Sequence, residues 1–98
     1  MTVPLRVGVI GAGVGEMHLA GYSKLPRVEI AALAGLDDDR VRRVAAEYRV
    51  PQTFREYTDL LAAPNIDAVS VCLPNALHLP VTVAALKAGK HVLVEKPL

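Results

Sequence analysis

The sequence predicts an α/β protein with a doubly wound parallel sheet in the strand order 3-2-1-4-5. Short apolar stretches alternate with amphipathic stretches along all 98 residues, as in proteins whose parallel strands are joined by helices. A glycine-rich turn follows the first apolar stretch, and a charged pair follows the last. Right-handed crossovers favour this order and place a topological switch between the first and fourth strands. A chain of this length can bury one modest core, so residues 1–98 are expected to form a single domain.

The elements follow in turn from the apolar runs and the residues that interrupt them. The predicted strands cover residues 5–10, 28–36, 53–54, 68–73 and 91–94. The predicted helices lie between them and cover residues 15–25, 39–48, 57–62 and 77–88. Gly11 ends the first strand, and the aspartates at 37–39 suit the start of the second helix. Pro74 ends the fourth strand, and Gly89 suits the left-handed position just beyond the last helix.

Composition and charge narrow the function classes. Hydrophobic residues make up 52% of the chain, and the formal net charge is +1, so there is no global field to attract nucleic acid or an anionic membrane. The apolar runs are broken well before membrane-spanning length, so a cytoplasmic protein is expected. Cys72 is the single cysteine and has no CxxC partner, so neither an internal disulfide nor a metal site is expected. The expected partners are small molecules or proteins.

The turn after the first strand predicts a phosphate-binding site. It consists of Gly11, Ala12, Gly13, Val14 and Gly15. Glycines let the backbone bend sharply and approach a pyrophosphate, while the N–H groups of the following helix point at the anion. The usual fingerprint is GxGxxG, and here the sixth place holds a glutamate. The alternative interpretation is an ordinary strand-to-helix turn.

The end of the second strand bears on the choice between NAD and NADP. An acidic residue there usually binds the ribose hydroxyls of NAD, whereas a nearby cation accommodates the extra phosphate of NADP. Asp37 is the acidic candidate, and Arg40 is the cationic one. Asp37 is equally explained as a helix cap, and Arg40 as part of a solvated helix face. The sequence on balance favours NAD.

The two remaining loops at the carboxyl ends of the strands carry polar side chains. After the fourth strand come Asn75 and His78, which can hydrogen-bond a ribose or a carboxamide. A helix cap and simple packing are the alternatives for these two residues. The last strand runs directly into Glu95 and Lys96 and is stopped by Pro97. Ligands of open parallel sheets bind at this edge, so the charged pair is placed for chemistry.

These motifs together closely resemble the N-terminal nucleotide-binding domain of the Gfo/Idh/MocA oxidoreductase family. The resemblance rests on the glycine turn, on PNALH at 74–78 and on AGKHVLVEKP at 88–97, and it covers essentially the whole chain. It implies a Rossmann fold that binds NAD or NADP. It also implies hydride transfer between the nicotinamide and a sugar, polyol or similar hydroxy compound. Gly35 stands where many NAD-using members carry an acid, which keeps the cofactor choice open.

The resemblance also implies roles for individual residues. In the family, the lysine of the EKP loop lies beside the nicotinamide and the reacting carbinol, so Lys96 is the candidate catalytic residue. A lysine partly desolvated beside an oxidised nicotinamide loses proton affinity, which suits proton exchange with an alcohol. The other expected cofactor contacts in these two loops are Leu73, Pro74, Asn75, His78, Glu95 and Pro97.

Family members continue beyond the EKP loop into a substrate-binding domain. The chain is therefore expected to be a fragment that binds the cofactor without turnover and meets a small-molecule substrate only with that second domain. An exposed sheet edge would favour self-association. The alternative function is a non-catalytic NAD(P)-binding module whose nucleotide state regulates a protein partner.

Overall fold

The computed structural model describes residues 4–73 and 75–94 and confirms the predicted doubly wound sheet. In chain order the elements are β1 (Leu5–Ile10), α1 (Gly15–Tyr22), β2 (Val28–Ala34), α2 (Asp38–Tyr48), β3 (Gln52–Phe54), α3 (Tyr57–Ala62), β4 (Ala68–Val71), α4 (Asn75–Lys87) and β5 (His91–Val94). The strands pair in parallel in the order β3-β2-β1-β4-β5. Because the order reverses between β1 and β4, the crevice expected at a switch point opens between their carboxyl ends.

Helices cover both faces of the sheet. One core cluster joins α1 and α2 to one face, and its members include Val9, Leu19, Leu33 and Val44. A second cluster joins α3 and α4 to the opposite face, and its members include Ile10, Leu60, Val71 and Val81. Successive residues of a strand point to opposite faces, so β1 contributes to both clusters. Within the described ranges, no helix is long and apolar enough to cross a bilayer.

The second and fourth strands end two residues earlier than the apolar runs predict. Gly35 and Cys72 still donate their backbone N–H groups to the neighbouring strand, at 3.0 and 2.8 Å, and the chain then leaves the sheet. The apolar side chains that follow, Leu36 and Leu73, line a cleft instead of a sheet face. These two apolar residues therefore form part of the cleft lining and are not part of a strand.

The helix boundaries also differ from the prediction. α1 ends at Tyr22, three residues early, and the Ser23 hydroxyl donates to the Ala20 carbonyl at 2.8 Å. Such a side-chain bond competes with continuation of the helix. α2 begins one residue early and α4 two residues early, while α4 ends one residue early. Gly89 has φ +79°, which confirms the left-handed position beyond α4.

The amino edge of the sheet is closed by an ion pair between β1 and the residue before β4. The Arg6 guanidinium donates to Asp67 from Nε at 3.2 Å and from Nη2 at 3.1 Å, and the Arg6 backbone N–H donates at 2.9 Å. These hydrogen bonds from Arg6 hold the pKa of the Asp67 carboxyl below its ordinary value of 3.8. The Asp67 N–H in turn donates to the Arg6 carbonyl. The two strands are thus fixed in register at the edge opposite the crevice.

Candidate functional site

A cleft of about 740 Å³ opens at the carboxyl edge of the sheet. It is lined by the turn after β1, the loops after β2 and β3, the end of β4 and one side of α4. Its charged lining residues all follow β2 or β3, and they are Asp37, Arg40, Arg55 and Glu56. The turn after β1 and the end of β4 contribute backbone and apolar side chains. The cleft therefore has an apolar part at the switch point and a charged part at one end.

Gly11 brings the first turn close to both neighbouring strands. Its φ is +105°, and its N–H donates to the Ala34 carbonyl of β2 at 2.8 Å. A Cβ at this position would lie 2.4 Å from the carbonyl oxygen of Cys72, which follows β4. No residue other than glycine meets both conditions, since a side chain would be strained and would clash with backbone. This is the sharp bend that the glycine pattern predicts.

The other two glycines of the turn serve different contacts. Gly15 begins α1, and a Cβ there would lie 2.6 Å from Cγ1 of Val9, so the helix packs closely on the sheet. Gly13 lies beneath Arg40, whose Nη1 atom is 3.3 Å from the position of a Gly13 Cβ. The cleft is lined by Gly11, Ala12, Gly13 and Val14 but not by Gly15. Gly15 thus contributes through packing.

The three aspartates after β2 have three different partners. The Asp37 carboxylate caps α2, because Oδ1 accepts the Arg40 backbone N–H at 3.1 Å. Asp38 pairs with Arg55 and Asp39 with Arg42. Of the three aspartates, Asp37 alone lines the cleft. Its carboxylate can therefore cap the helix and also contact a ligand. The cap interpretation from the sequence is confirmed for this residue.

Arg40 presents its guanidinium to the cleft. It lines the charged part of the cleft and is exposed. Among residues 4–73 and 75–94 it forms no ion pair, whereas Arg42, Arg43 and Arg55 each pair with a carboxylate. An arginine without a carboxylate partner retains its charge and its planar set of donors for an anionic ligand.

Sequence reasoning missed the residues that follow β3. Arg55, Glu56 and Tyr57 line the cleft beside Asp37 and Arg40. The signal was present, because residues directly after a parallel strand lie at the ligand edge of the sheet. The missed lining also includes Leu36, Leu77 and Val81, whereas Gly35, which lines the cleft too, was singled out in the sequence.

The loop after β4 is only partly described. Leu73 lines the cleft as expected. The His78 imidazole donates from Nε2 to the Leu73 carbonyl and is not among the lining residues, so it holds this loop against α4. Pro74, Glu95, Lys96 and Pro97 lie outside the described residues, as does the side chain of Asn75.

The cleft fits a dinucleotide. Gly11 turns the chain at a positive φ, and Gly13 is exposed and carries no side chain, so a ligand can approach the backbone of the turn closely. Exposed N–H groups at the start of a helix suit a pyrophosphate, and charged residues after the second strand suit a ribose. In the described ranges, no group of three or more His, Cys, Asp or Glu residues could hold a metal ion.

Comparisons with known proteins agree with this site. A sequence model for the Gfo/Idh/MocA oxidoreductase family, NAD-binding Rossmann fold, matches residues 5–98. Myo-inositol 2-dehydrogenase of Thermotoga maritima is 34% identical over 95 residues, which cover 96% of this chain and 28% of that protein. D-xylose 1-dehydrogenase (NADP(+)) 2 of Haloferax volcanii is 40% identical over 95 residues, which cover 96% of this chain and 29% of that protein.

The fold of this chain also matches that of a solved structure. The crystal structure of scyllo-inositol dehydrogenase from Lactobacillus casei with bound cofactor NAD(H) and scyllo-inositol matches with a TM-score of 0.90 at 29% identity. The match covers 96% of this chain and 28% of that one. The chain spans less than a third of the length of these relatives. Fold, cleft and relatives together show that the chain belongs to the Gfo/Idh/MocA oxidoreductase family and is its NAD-binding Rossmann domain.

Proposed function

We propose that this domain holds the cofactor of a dehydrogenase that moves hydride between a nicotinamide and a CH–OH carbon of a sugar or polyol. The observation that carries the proposal is the turn at Gly11, which opens the 740 Å³ cleft at the switch point. The names of the relatives, an inositol dehydrogenase and a xylose dehydrogenase among them, support the substrate class. The cytoplasmic location and the self-association expected from the sequence stay predictions.

Two parts of the cleft would bind two different parts of the dinucleotide. Ala12, Gly13 and Val14 would bind the pyrophosphate through backbone N–H groups, and Gly11, whose own N–H donates to Ala34, would let the chain pass close to it. Asp37 and Arg40 would bind the ribose of the adenosine half. The nicotinamide, when bound, supplies the carbon that accepts or donates hydride. Gly15 acts by packing α1 onto β1, and His78 acts by holding the loop after β4.

Lys96 is our proposed catalytic residue. It follows β5 directly after Glu95, in the EKP motif that carries the family resemblance. An amine that shares a proton with the alcohol oxygen makes loss of hydride from the carbon easier. Pro74, Asn75, Glu95 and Pro97 are proposed to shape the same part of the site.

We further propose that the cofactor is NADP, although the sequence alone favours NAD. Gly35, directly after β2, offers no carboxylate at the position where many NAD-using members of the family carry an acid. The guanidinium of Arg40, which has no carboxylate partner among the described residues, suits a 2′-phosphate. The relative named as an NADP(+) enzyme supports this choice.

Calorimetric titration of the purified chain with NADPH and NADH tests the proposal. We expect tighter binding of NADPH, and Arg40→Ala should weaken NADPH roughly tenfold while changing NADH less than about twofold. Arg42→Ala is the matched control, because Arg42 lies on the same helix and pairs with Asp39 away from the cleft. A folded chain that binds neither dinucleotide would contradict the function, and tighter binding of NADH would contradict the cofactor choice alone.

A further inference from the structure

We propose that Arg55 is a second specificity-determining residue, which binds the 2′-phosphate of NADP together with Arg40. The inference rests on the proposed function, because it assigns another part of the same cleft. Arg55 is the first residue after β3, and it lines the cleft with Arg40 and Asp37. Two arginines from different segments, Arg40 in α2 and Arg55 after β3, thus line the same cleft.

Asp38 and Leu36 hold Arg55 in this position through one nitrogen atom of its guanidinium. Its Nη1 donates to Oδ1 of Asp38 at 3.1 Å and approaches the Leu36 carbonyl at 3.4 Å. Among the residues the structure describes, Nη2 and Nε make no hydrogen bond. A guanidinium presents five donors in a planar fork, so one edge can stay with Asp38 while the other binds phosphate oxygens.

Charge supports the same assignment. Asp37 and Glu56 line the cleft and Asp38 pairs with Arg55, and these three acids without cations would repel a dianionic phosphate. Arg55 offsets Asp38, and Arg40 has no carboxylate partner in the described ranges. The Arg55–Asp38 pair is more than half exposed on both sides, so it contributes little to folding. Its placement at the cleft is better explained by a ligand.

Titrations of Arg55→Met and Arg55→Lys with NADPH and NADH test the inference. Arg55→Met should weaken NADPH roughly tenfold and change NADH less than about twofold. Arg55→Lys keeps the charge but loses the planar fork, so its NADPH affinity should fall between those of the native chain and Arg55→Met. Urea unfolding of each variant checks that the fold is retained.

Arg42→Met is the matched control, because it removes an exposed arginine that pairs with Asp39, and neither of these two residues lines the cleft. It should leave both affinities unchanged. Equal weakening of NADPH and NADH by Arg55→Met, or no weakening of either, would overturn the role of Arg55 while Arg40→Ala still tests the cofactor choice. Tighter binding of NADH by the native chain would overturn both.

Discussion

Gly11 controls how close the first turn comes to the rest of the sheet. Its N–H bonds to β2, and its Cα hydrogens face the carbonyl of the residue after β4. The turn is therefore held between the carboxyl ends of β2 and β4, the two neighbours of β1 in the sheet. A position with φ +105° and backbone 2.4 Å from the place of a Cβ admits only glycine.

Gly11→Ala should lower the free energy of unfolding by roughly 3 kcal/mol or more, because it adds backbone strain and a clash with the Cys72 carbonyl. Gly21→Ala is the control. Gly21 is exposed in α1, and no atom lies within 4 Å of its Cβ position. Alanine there should stabilise the chain by about 0.5–1 kcal/mol. Urea unfolding followed by circular dichroism measures both, and equal effects would contradict the special role of Gly11.

Sequence motifs marked several of the residues that line the cleft, and their contacts with a cofactor stay predictions. Asp37, Arg40 and Leu73 line it, as do the residues of the glycine turn except Gly15. Arg55 was missed because the residues after β3 match no recognised motif, although the sequence predicts the end of that strand correctly at residue 54. Its pairing with Asp38 joins residues 17 positions apart, and only the folded chain shows that contact.

At the scale of elements, the alternation of apolar and amphipathic segments was sufficient to predict each described helix and strand and the order of the sheet. It was not sufficient to predict where β2 and β4 end. The apolar run continues in both cases because Leu36 and Leu73 line the cleft. Hydrophobicity reports burial or a ligand surface, and it cannot separate the two.

Lys90 joins two connections at the amino edge of the sheet. It lies between α4 and β5, and its Nζ donates to the carbonyls of Ala63 and Ile66, at 2.9 and 2.7 Å. Both carbonyls belong to the connection between α3 and β4. The two crossover segments on this face are therefore tied together by one partly buried ammonium group.

Lys90→Met should lower the free energy of unfolding by about 1.5–3 kcal/mol, because it keeps the apolar stem but removes two charge-assisted hydrogen bonds. Lys87→Met is the control, since Lys87 is exposed in the last turn of α4 and should cost less than about 0.5 kcal/mol. Urea midpoints at constant slope give both values. If Lys90→Met lowers the free energy of unfolding no more than Lys87→Met does, the two hydrogen bonds from Lys90 do not stabilise the fold.

On the scale of the whole molecule, binding and structural charges are separated. The cleft with Asp37, Arg40 and Arg55 lies at the carboxyl edge, and the Arg6–Asp67 pair lies at the amino edge. A change in the charge of Asp67 should therefore alter stability without altering the cleft.

Stability should fall in acid through Asp67. Its pKa is lowered in the folded chain, so the unfolded chain binds more protons, and the contribution of Asp67 is complete only above the ordinary value of 3.8. That contribution is lost as the pH falls through the lowered value. Asp67→Asn should be less stable than the native chain at neutral pH, and the difference should shrink below about pH 4.

Urea unfolding of both proteins between neutral pH and about pH 3 measures this difference. Asp59→Asn, an exposed change of the same charge in α3, should cost little at neutral pH. A difference between the native chain and Asp67→Asn that stays constant with pH would show that the carboxylate charge is not what stabilises the fold.

The central place of β1 has a consequence for synthesis on the ribosome. Val7 pairs with Ile30 on one side and with Ala68 on the other. At roughly 5–20 residues per second, the second partner emerges several seconds after the first. During that interval the strand that later lies in the middle of the sheet is an open edge of the nascent chain, with one row of N–H and C=O groups still to be paired.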